Sequence, residues 1–313
     1  ATMGRLLLLY GGLTVLMAIA YIVVGMPFID SGIHAMTTIS TGGFSSRAGS
    51  IGAYDSAAIE WVAIGGMLAG GTSLPLMFLA VRRRDPRRFA RSLEFRLYVV
   101  FIAFVAFSIV AWSDAAPTTQ SVREALFAAT SAISTTGYLA SDISVLPDGG
   151  TVLLVLMMVI GGMSASVAGG FKVVRFLAIA SYITRELRRA IHPNATETVH
   201  LGRSSIGEVA LSRIVGELLA AMLLLVPTVV VLAAAGLDIE GAFSFAASSL
   251  SNVGPAFGAA GPDGHLQVMN GLGHVTSGVL MVVGRIGVLP VVVSVLVLAE
   301  PLARSIRVRS HRV

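Results

Sequence analysis

Three short strings hold the residues whose chemistry can be read first. They run Ala35-Met36-Thr37-Thr38-Ile39-Ser40-Thr41-Gly42-Gly43-Phe44, Ala129-Thr130-Ser131-Ala132-Ile133-Ser134-Thr135-Thr136-Gly137-Tyr138 and Ala246-Ala247-Ser248-Ser249-Leu250-Ser251-Asn252-Val253-Gly254-Pro255. All three share Ala-x-[Ser/Thr]-x-[Ile/Leu]-Ser-[Thr/Asn]-x-Gly, closed by a ring-bearing residue. Glycine allows left-handed or extended backbone and leaves carbonyls uncovered. Such carbonyls, lining a wet passage, can replace the hydration shell of a potassium ion. Thr41, Gly42, Gly43, Thr135, Thr136, Gly137, Asn252, Val253 and Gly254 are therefore the candidate ion-binding positions. The plainer alternative is tight helix contact, but contact motifs need small residues four apart rather than one shared string.

Two cations and a loop form the second candidate. Gly161-Gly162-Met163-Ser164-Ala165-Ser166-Val167-Ala168-Gly169-Gly170-Phe171-Lys172 interrupts the longest apolar segment of the chain. Glycine in that number makes poor helix. A phosphate-binding loop would need Gly-Lys-[Ser/Thr], and here Phe171 intervenes and Val173 follows. The segment reads as an unwound loop inside a membrane, tolerated only where it lines a cavity or is buried in protein. Gly161, Gly162, Ser164, Ser166, Gly169, Gly170 and Lys172 are the candidate residues of this loop, and Arg285 is the second unexplained cation. Arg285 lies inside an apolar run, where a charge costs at least about 2.5 to 3.5 kcal/mol. It should face a cavity or a partner, the carbonyls of the unwound loop being the expected one. The alternative is an arginine that snorkels to the interface.

The elements that must position these groups belong to an integral membrane protein. Hydrophobic residues make up 55% of the chain and charged residues 12%, against about 25% charged in soluble domains. There are no cysteines, which excludes disulfides and thiol chemistry. Apolar runs from Leu6 to Val24, Ala57 to Val81, Leu97 to Trp112, Thr151 onward, Ile214 to Ala235 and about Val275 to Leu298 give six expected spans. Ala18-Ile19-Ala20 imitates a signal-peptidase site, but the apolar run continues past it. A short amphipathic segment opened by Asp30, Glu124 or Glu240 precedes each string and reads as a pore helix. Gly65, Gly66, Gly70 and Gly71 should let helices approach closely. The period is span, pore helix, extended segment, span. It divides the chain into 1–96, 97–206 with a broken inner helix, and 207–313 with a basic tail.

Charge sets the expected orientation. Of 22 Lys and Arg, eighteen lie at the termini or between units, including Arg82-Arg83-Arg84-Asp85-Pro86-Arg87-Arg88, Arg203 and the tail arginines Arg304, Arg307, Arg309 and Arg312. Only Arg47 and Arg123 fall on the side of the strings, where Asp55, Asp114, Asp142, Asp148, Asp238 and Asp263 collect. The strings should open outward and the basic side should face the cytoplasm. The arginine run, wedged between spans, is an anchor rather than a nucleic-acid signal.

Ser40-Thr41-Gly42-Gly43-Phe44, Ser134-Thr135-Thr136-Gly137-Tyr138 and Asn252-Val253-Gly254-Pro255, with Gly161 to Lys172 and Gly284-Arg285, resemble the Trk/Ktr/HKT superfamily of potassium transporters, and its bacterial Trk members most. The likeness covers essentially the whole chain. It implies an all-α membrane fold of helix–pore-helix–helix units around a pseudo-fourfold pore in the inner (plasma) membrane, with one filter glycine per unit and potassium (K+) preferred over sodium. It further implies a homodimer, a cytoplasmic nucleotide-binding regulatory ring, and a gate formed by the counterparts of Gly161 to Gly170 and Arg285. The three strings correspond to the family's second, third and fourth units. Three units leave a gap in the ring, so a non-conducting subunit that needs a partner stays open as an alternative. A membrane-embedded enzyme finds no support, since Ser164 and Ser166 have no candidate histidine in a span.

Overall fold

The computed structural model describes residues 2–113, 116–142, 146–192, 199–201, 204–261, 269–295 and 297–298. Arg203, Arg304, Arg307, Arg309, Arg312, Asp114 and Asp263, which entered the charge argument, lie outside them, as does the basic tail. The first unit contains α1 (Thr2–Val23), α2 (Phe28–Ile39), α3 (Ala57–Gly71), α4 (Leu74–Arg83) and α5 (Arg87–Arg91). The second contains α6 (Leu93–Trp112), which begins four residues ahead of the expected boundary at 97, α7 (Thr119–Ile133), α8 (Asp148–Ile160) and α9 (Val173–Ile191). A small antiparallel hairpin, β1 (Val199–Leu201) with β2 (Ser204–Ile206), leads to α10 (Glu208–Ala234), α11 (Ile239–Ser251), α12 (Gly271–Ile286) and α13 (Val288–Val295).

The first helix of each unit, α1, α6 or α10, is continuous and apolar enough to cross a membrane. The closing span of each unit is broken, which corrects two of the six expected spans. Between α3 and α4 the chain bends by 101°, and between α12 and α13 by 106°. Pro75 explains the first break. Proline has no N–H and clashes inside a helix, yet suits a helix start, and it stands in the first turn of α4. Gly287 explains the second, with φ +103° at the end of α12 and Pro290 three residues on. In the second unit α8 stops at Gly161, φ +72°, and helix resumes only at Val173. Three helices qualify as single spans among the described residues, or five spans if each bent pair counts as one. The basic run Arg82–Arg84 thus closes a helix turned across the direction of α3.

Each unit buries its own apolar cluster, and the first two accept side chains from the next. Met17, Tyr21, Ile59 and Met67 of the first unit enclose Phe127 and Tyr138 of the second. Tyr98, Ile102, Leu154 and Met158 of the second enclose Val253 and Phe257 of the third. Of the four glycines in α3, a β-carbon on Gly66 would press on Met17 and Thr38, one on Gly70 on Thr41, and one on Gly71 on Tyr98. Gly65 meets nothing within 4 Å and plays no such part.

One ion pair joins the first two units inside this packing. Arg123 Nε of α7 lies 2.7 Å from Glu60 Oε2 of α3, with the two side chains 17% and 8% exposed. Removing one partner leaves a buried charge uncompensated, which costs about 3–5 kcal/mol. Glu60→Ala is expected to lower the melting temperature, and adding Arg123→Ala should recover most of the loss. Thermal unfolding of both variants in detergent checks this, with an unaffected Glu60→Ala protein as the contrary result.

Candidate functional site

The three strings fold alike, residue for residue. Each pore helix, α2, α7 or α11, ends four or five residues before the end of its string, and the backbone then turns left-handed twice. Thr41 and Gly43 have φ +52° and +67°, Thr135 and Gly137 +55° and +79°, Asn252 and Gly254 +57° and +112°. The third residue of each string holds this turn. The Thr37 carbonyl accepts from Gly42 N at 2.8 Å, that of Ser131 from Thr136 N at 3.1 Å, and that of Ser248 from Val253 N at 3.0 Å. Their hydroxyls add a second tie. Thr37 donates to the Phe44 carbonyl at 2.9 Å, Ser131 to the Tyr138 carbonyl at 2.8 Å, and Gly254 N donates to Ser248 Oγ at 2.9 Å. The N–H groups therefore point back at the pore helix. Among the described residues, no hydrogen bond reaches the carbonyls of Thr41 to Gly43, Thr135 to Gly137 or Asn252 to Gly254.

These segments sit side by side. A β-carbon on Gly43 would collide with the carbonyl oxygen of Thr136, and one on Gly137 with that of Val253 and the ring of Pro255. The middle carbonyl of the second and third segments therefore abuts the last glycine of the segment before it. Gly254 ends the series, with nothing within 4 Å among the described residues. Three helix C-termini, each carrying about half a negative charge, end at these adjoining segments, an arrangement that favours a cation. The packing behind them is polar and specific: Tyr138 Oη lies 2.5 Å from Thr37 Oγ1, and Tyr21 Oη 2.9 Å from Thr38 Oγ1.

The helix starts differ in detail from expectation. Asp30 does stand in the first turn of α2, where Ser46 Oγ donates to it at 2.7 Å and Arg47 lies at 3.5 Å. The Ser46 hydroxyl, with Arg47 nearby, holds the Asp30 carboxyl below the usual carboxylate range. Glu124 does not open α7. That helix begins at Thr119, because Thr118 and Ser121 cap each other reciprocally, satisfying two orphan donors.

The 161–172 loop packs against the ends of other elements. Met163 N donates to the Gly71 carbonyl at 2.9 Å and Val167 N to that of Gly70 at 3.3 Å, both at the broken end of α3. Gly169 N donates to Thr135 Oγ1 at 2.6 Å, and Gly170 N to the Ser251 carbonyl at 3.2 Å. The loop thus touches the start of two of the three extended segments. Its glycines are required by closeness. A β-carbon on Gly161 would strike the Gly169 carbonyl, and one on Gly169 would strike that of Ser251. Ser166 Oγ donates to the Met163 carbonyl at 2.6 Å, and Gly162 accepts from Val173 N at 3.0 Å.

Lys172 and Arg285 line one cavity of about 370 Å³ with Arg175, Glu217, Asn252 and the loop from Ser166 to Gly170. Arg175 pairs with Glu217 at 2.9 Å. Lys172 donates to the Ala168 carbonyl, and it feels the positive charge of Arg285. The expected partner of Arg285 is therefore used by Lys172 instead. Arg285 lies in the last turn of α12 beside the break, exposed to the cavity, and forms no hydrogen bond with any described residue.

Two groups of residues escaped the sequence reading. Thr37, Ser131 and Ser248 carry the turns, and the shared [Ser/Thr] of the third string position was their signal. Glu94, in the first turn of α6, accepts from Ser164 N at 2.5 Å and from Ser164 Oγ at 2.9 Å. Seventy residues separate the pair, and no local pattern announces it.

Comparison with known proteins agrees with this geometry. The sequence model of the TrkH family, described as cation transport protein, matches residues 2–303. The chain is 34% identical over 288 residues to the Trk system potassium uptake protein TrkH of Halomonas elongata, covering 91% of this chain and 59% of that protein. It is 32% identical over 261 residues to TrkH of Escherichia coli, covering 82% and 54%. The crystal structure of the potassium transporter TrkH from Vibrio parahaemolyticus superposes with a TM-score of 0.84 at 29% identity, covering 91% of this chain and 62% of that one. The chain therefore spans a little over half the length of these curated relatives.

Proposed function

The chain belongs to the TrkH family of cation transport proteins, and from that premise we propose that it walls a potassium uptake pathway through the inner (plasma) membrane. The observation that carries this reading is the row of uncovered carbonyls at Thr41 to Gly43, Thr135 to Gly137 and Asn252 to Gly254, on backbone held from behind by Thr37, Ser131 and Ser248. Such carbonyls offer oxygen ligands without side-chain charge, which suits a dehydrated monovalent cation that must also leave. The Gly161 to Gly170 loop, with Lys172 and Arg285, is the gate. Its contacts with Thr135 and Ser251 support a place directly behind the filter.

Membership of a transport family replaces the membrane-enzyme reading. The alternative of a subunit that conducts only with a partner draws on one specific feature, the open side of Gly254. In the reading adopted here a fourth wall completes the ring at that side, the three strings acting as second, third and fourth units. Outward filters, a homodimer and a nucleotide-binding ring on the basic side belong to the same proposal. Rubidium uptake into vesicles holding the purified protein tests it: uptake should exceed that of protein-free vesicles and be outcompeted by potassium but not sodium. A folded protein that moves neither ion would overturn the conducting reading.

A further inference from the structure

Most ties on the 161–172 loop are backbone bonds to packed neighbours, at Gly70, Gly71 and Ser251. The tie at Ser164 is of another kind. Both carboxylate oxygens of Glu94 are spent on this one residue, one on its N–H and one on its hydroxyl. Bonds to an ionised acceptor are shorter and stronger than neutral ones. Glu94 makes no ion pair among the described residues, so these two donors are its close partners, with the Lys172 ammonium within range of its field. A half-buried carboxylate is costly unless it is hydrogen-bonded. A negative residue in the first turn of a helix is explained by the helix dipole, but that explanation does not aim the side chain at Ser164.

We infer that Glu94 is the latch that holds the 161–172 loop in its blocking position, a positioning residue that acts on the gate through Ser164. The inference rests on the gate reading proposed above. Its placement suggests what would release it. Glu94 stands two residues after Ser92, the cap of α6, and α6 follows the basic segment Arg82–Arg91 directly. A displacement of that segment moves the carboxylate away from Ser164, whereas the contacts of Gly169 and Gly170 with the filter lie on other elements.

The absence of cysteine makes the test clean. Val167→Cys, at a half-buried loop position, gives a single thiol whose reaction with a water-soluble maleimide reports loop release. Adding Glu94→Ala should speed labelling at least tenfold and raise rubidium uptake several-fold, with the rubidium to sodium ratio unchanged. Glu94→Gln, which keeps an acceptor oxygen, and Ser164→Ala, which keeps the N–H donor, should each give a smaller increase. Faster labelling without higher uptake would keep the latch and remove the gate reading. An unchanged labelling rate in a monodisperse Glu94→Ala protein overturns the latch, as does an equal increase in all three variants.

Discussion

Gly137→Ser is expected to abolish the preference for potassium over sodium, with Gly43→Ser close behind. At Gly137 the backbone has φ +79°, a conformation that costs an ordinary residue roughly 1–2 kcal/mol. The added β-carbon would also overlap the Val253 carbonyl and the ring of Pro255. The carbonyl must move, and it is one of the proposed ion ligands of the neighbouring unit. A shift of about 1.4 kcal/mol between the two ions is already tenfold in their ratio, so two distorted walls should suffice to erase selectivity. Gly43→Ser presses in the same way on the Thr136 carbonyl alone. Gly254→Ser meets no described neighbour within 4 Å and should do the least of the three. Rubidium and sodium fluxes measured in parallel give the answer, and a wild-type ratio in Gly137→Ser would show that these carbonyls do not select.

Deleting Ala165 to Gly169 is expected to raise rubidium flux by about tenfold or more while leaving selectivity in place. The deletion removes the N–H that Gly169 gives to Thr135 Oγ1. The Thr135 backbone keeps its own bond to the Ala132 carbonyl at 3.1 Å, and Thr136 keeps that to Ser131. The filter should therefore survive the loss of what lies behind it. Arg285→Ala should also raise flux, for a different reason. Arg285 has no hydrogen bond to the loop among the described residues, so the substitution removes charge rather than a tie. A cation at about 4 Å raises a potassium ion's energy by roughly 4 kcal/mol at an effective dielectric near 20. If Arg285 is a snorkelling anchor instead, the variant loses stability and keeps its flux per molecule. Flux normalised to reconstituted protein distinguishes the two outcomes, and an unchanged flux in the loop deletion would remove the loop from the gate.

The repeated left-handed segments and the 161–172 loop were legible in the sequence because they are local. A left-handed backbone at Gly43, Gly137 and Gly254 asks for glycine at that position, and the turn before it asks for a small hydroxyl residue six positions earlier. Both demands fall within one string, and repetition made them visible. The break at Gly161 to Gly170 was equally local. The breaks at Pro75 and Gly287 had signals of the same kind, but the apolar runs around them were long enough to read as single spans. Glu124 misled because an acidic residue near a helix start is a weaker mark than the reciprocal cap at Thr118 and Ser121.

Tertiary structure alone decided the rest. Hydrophobic periodicity says which face of a helix avoids water, and in a chain apolar on nearly every face it says little about which helix lies beside which. So the pairing of Glu60 with Arg123, of Glu94 with Ser164 and of Gly169 with Thr135 depends on contacts between residues 63, 70 and 34 positions apart. The partner of Lys172 was decided the same way. The loop carbonyls were the expected partners of Arg285 alone, and the turn of the chain into α9 put Lys172 on Ala168 and left Arg285 facing the cavity.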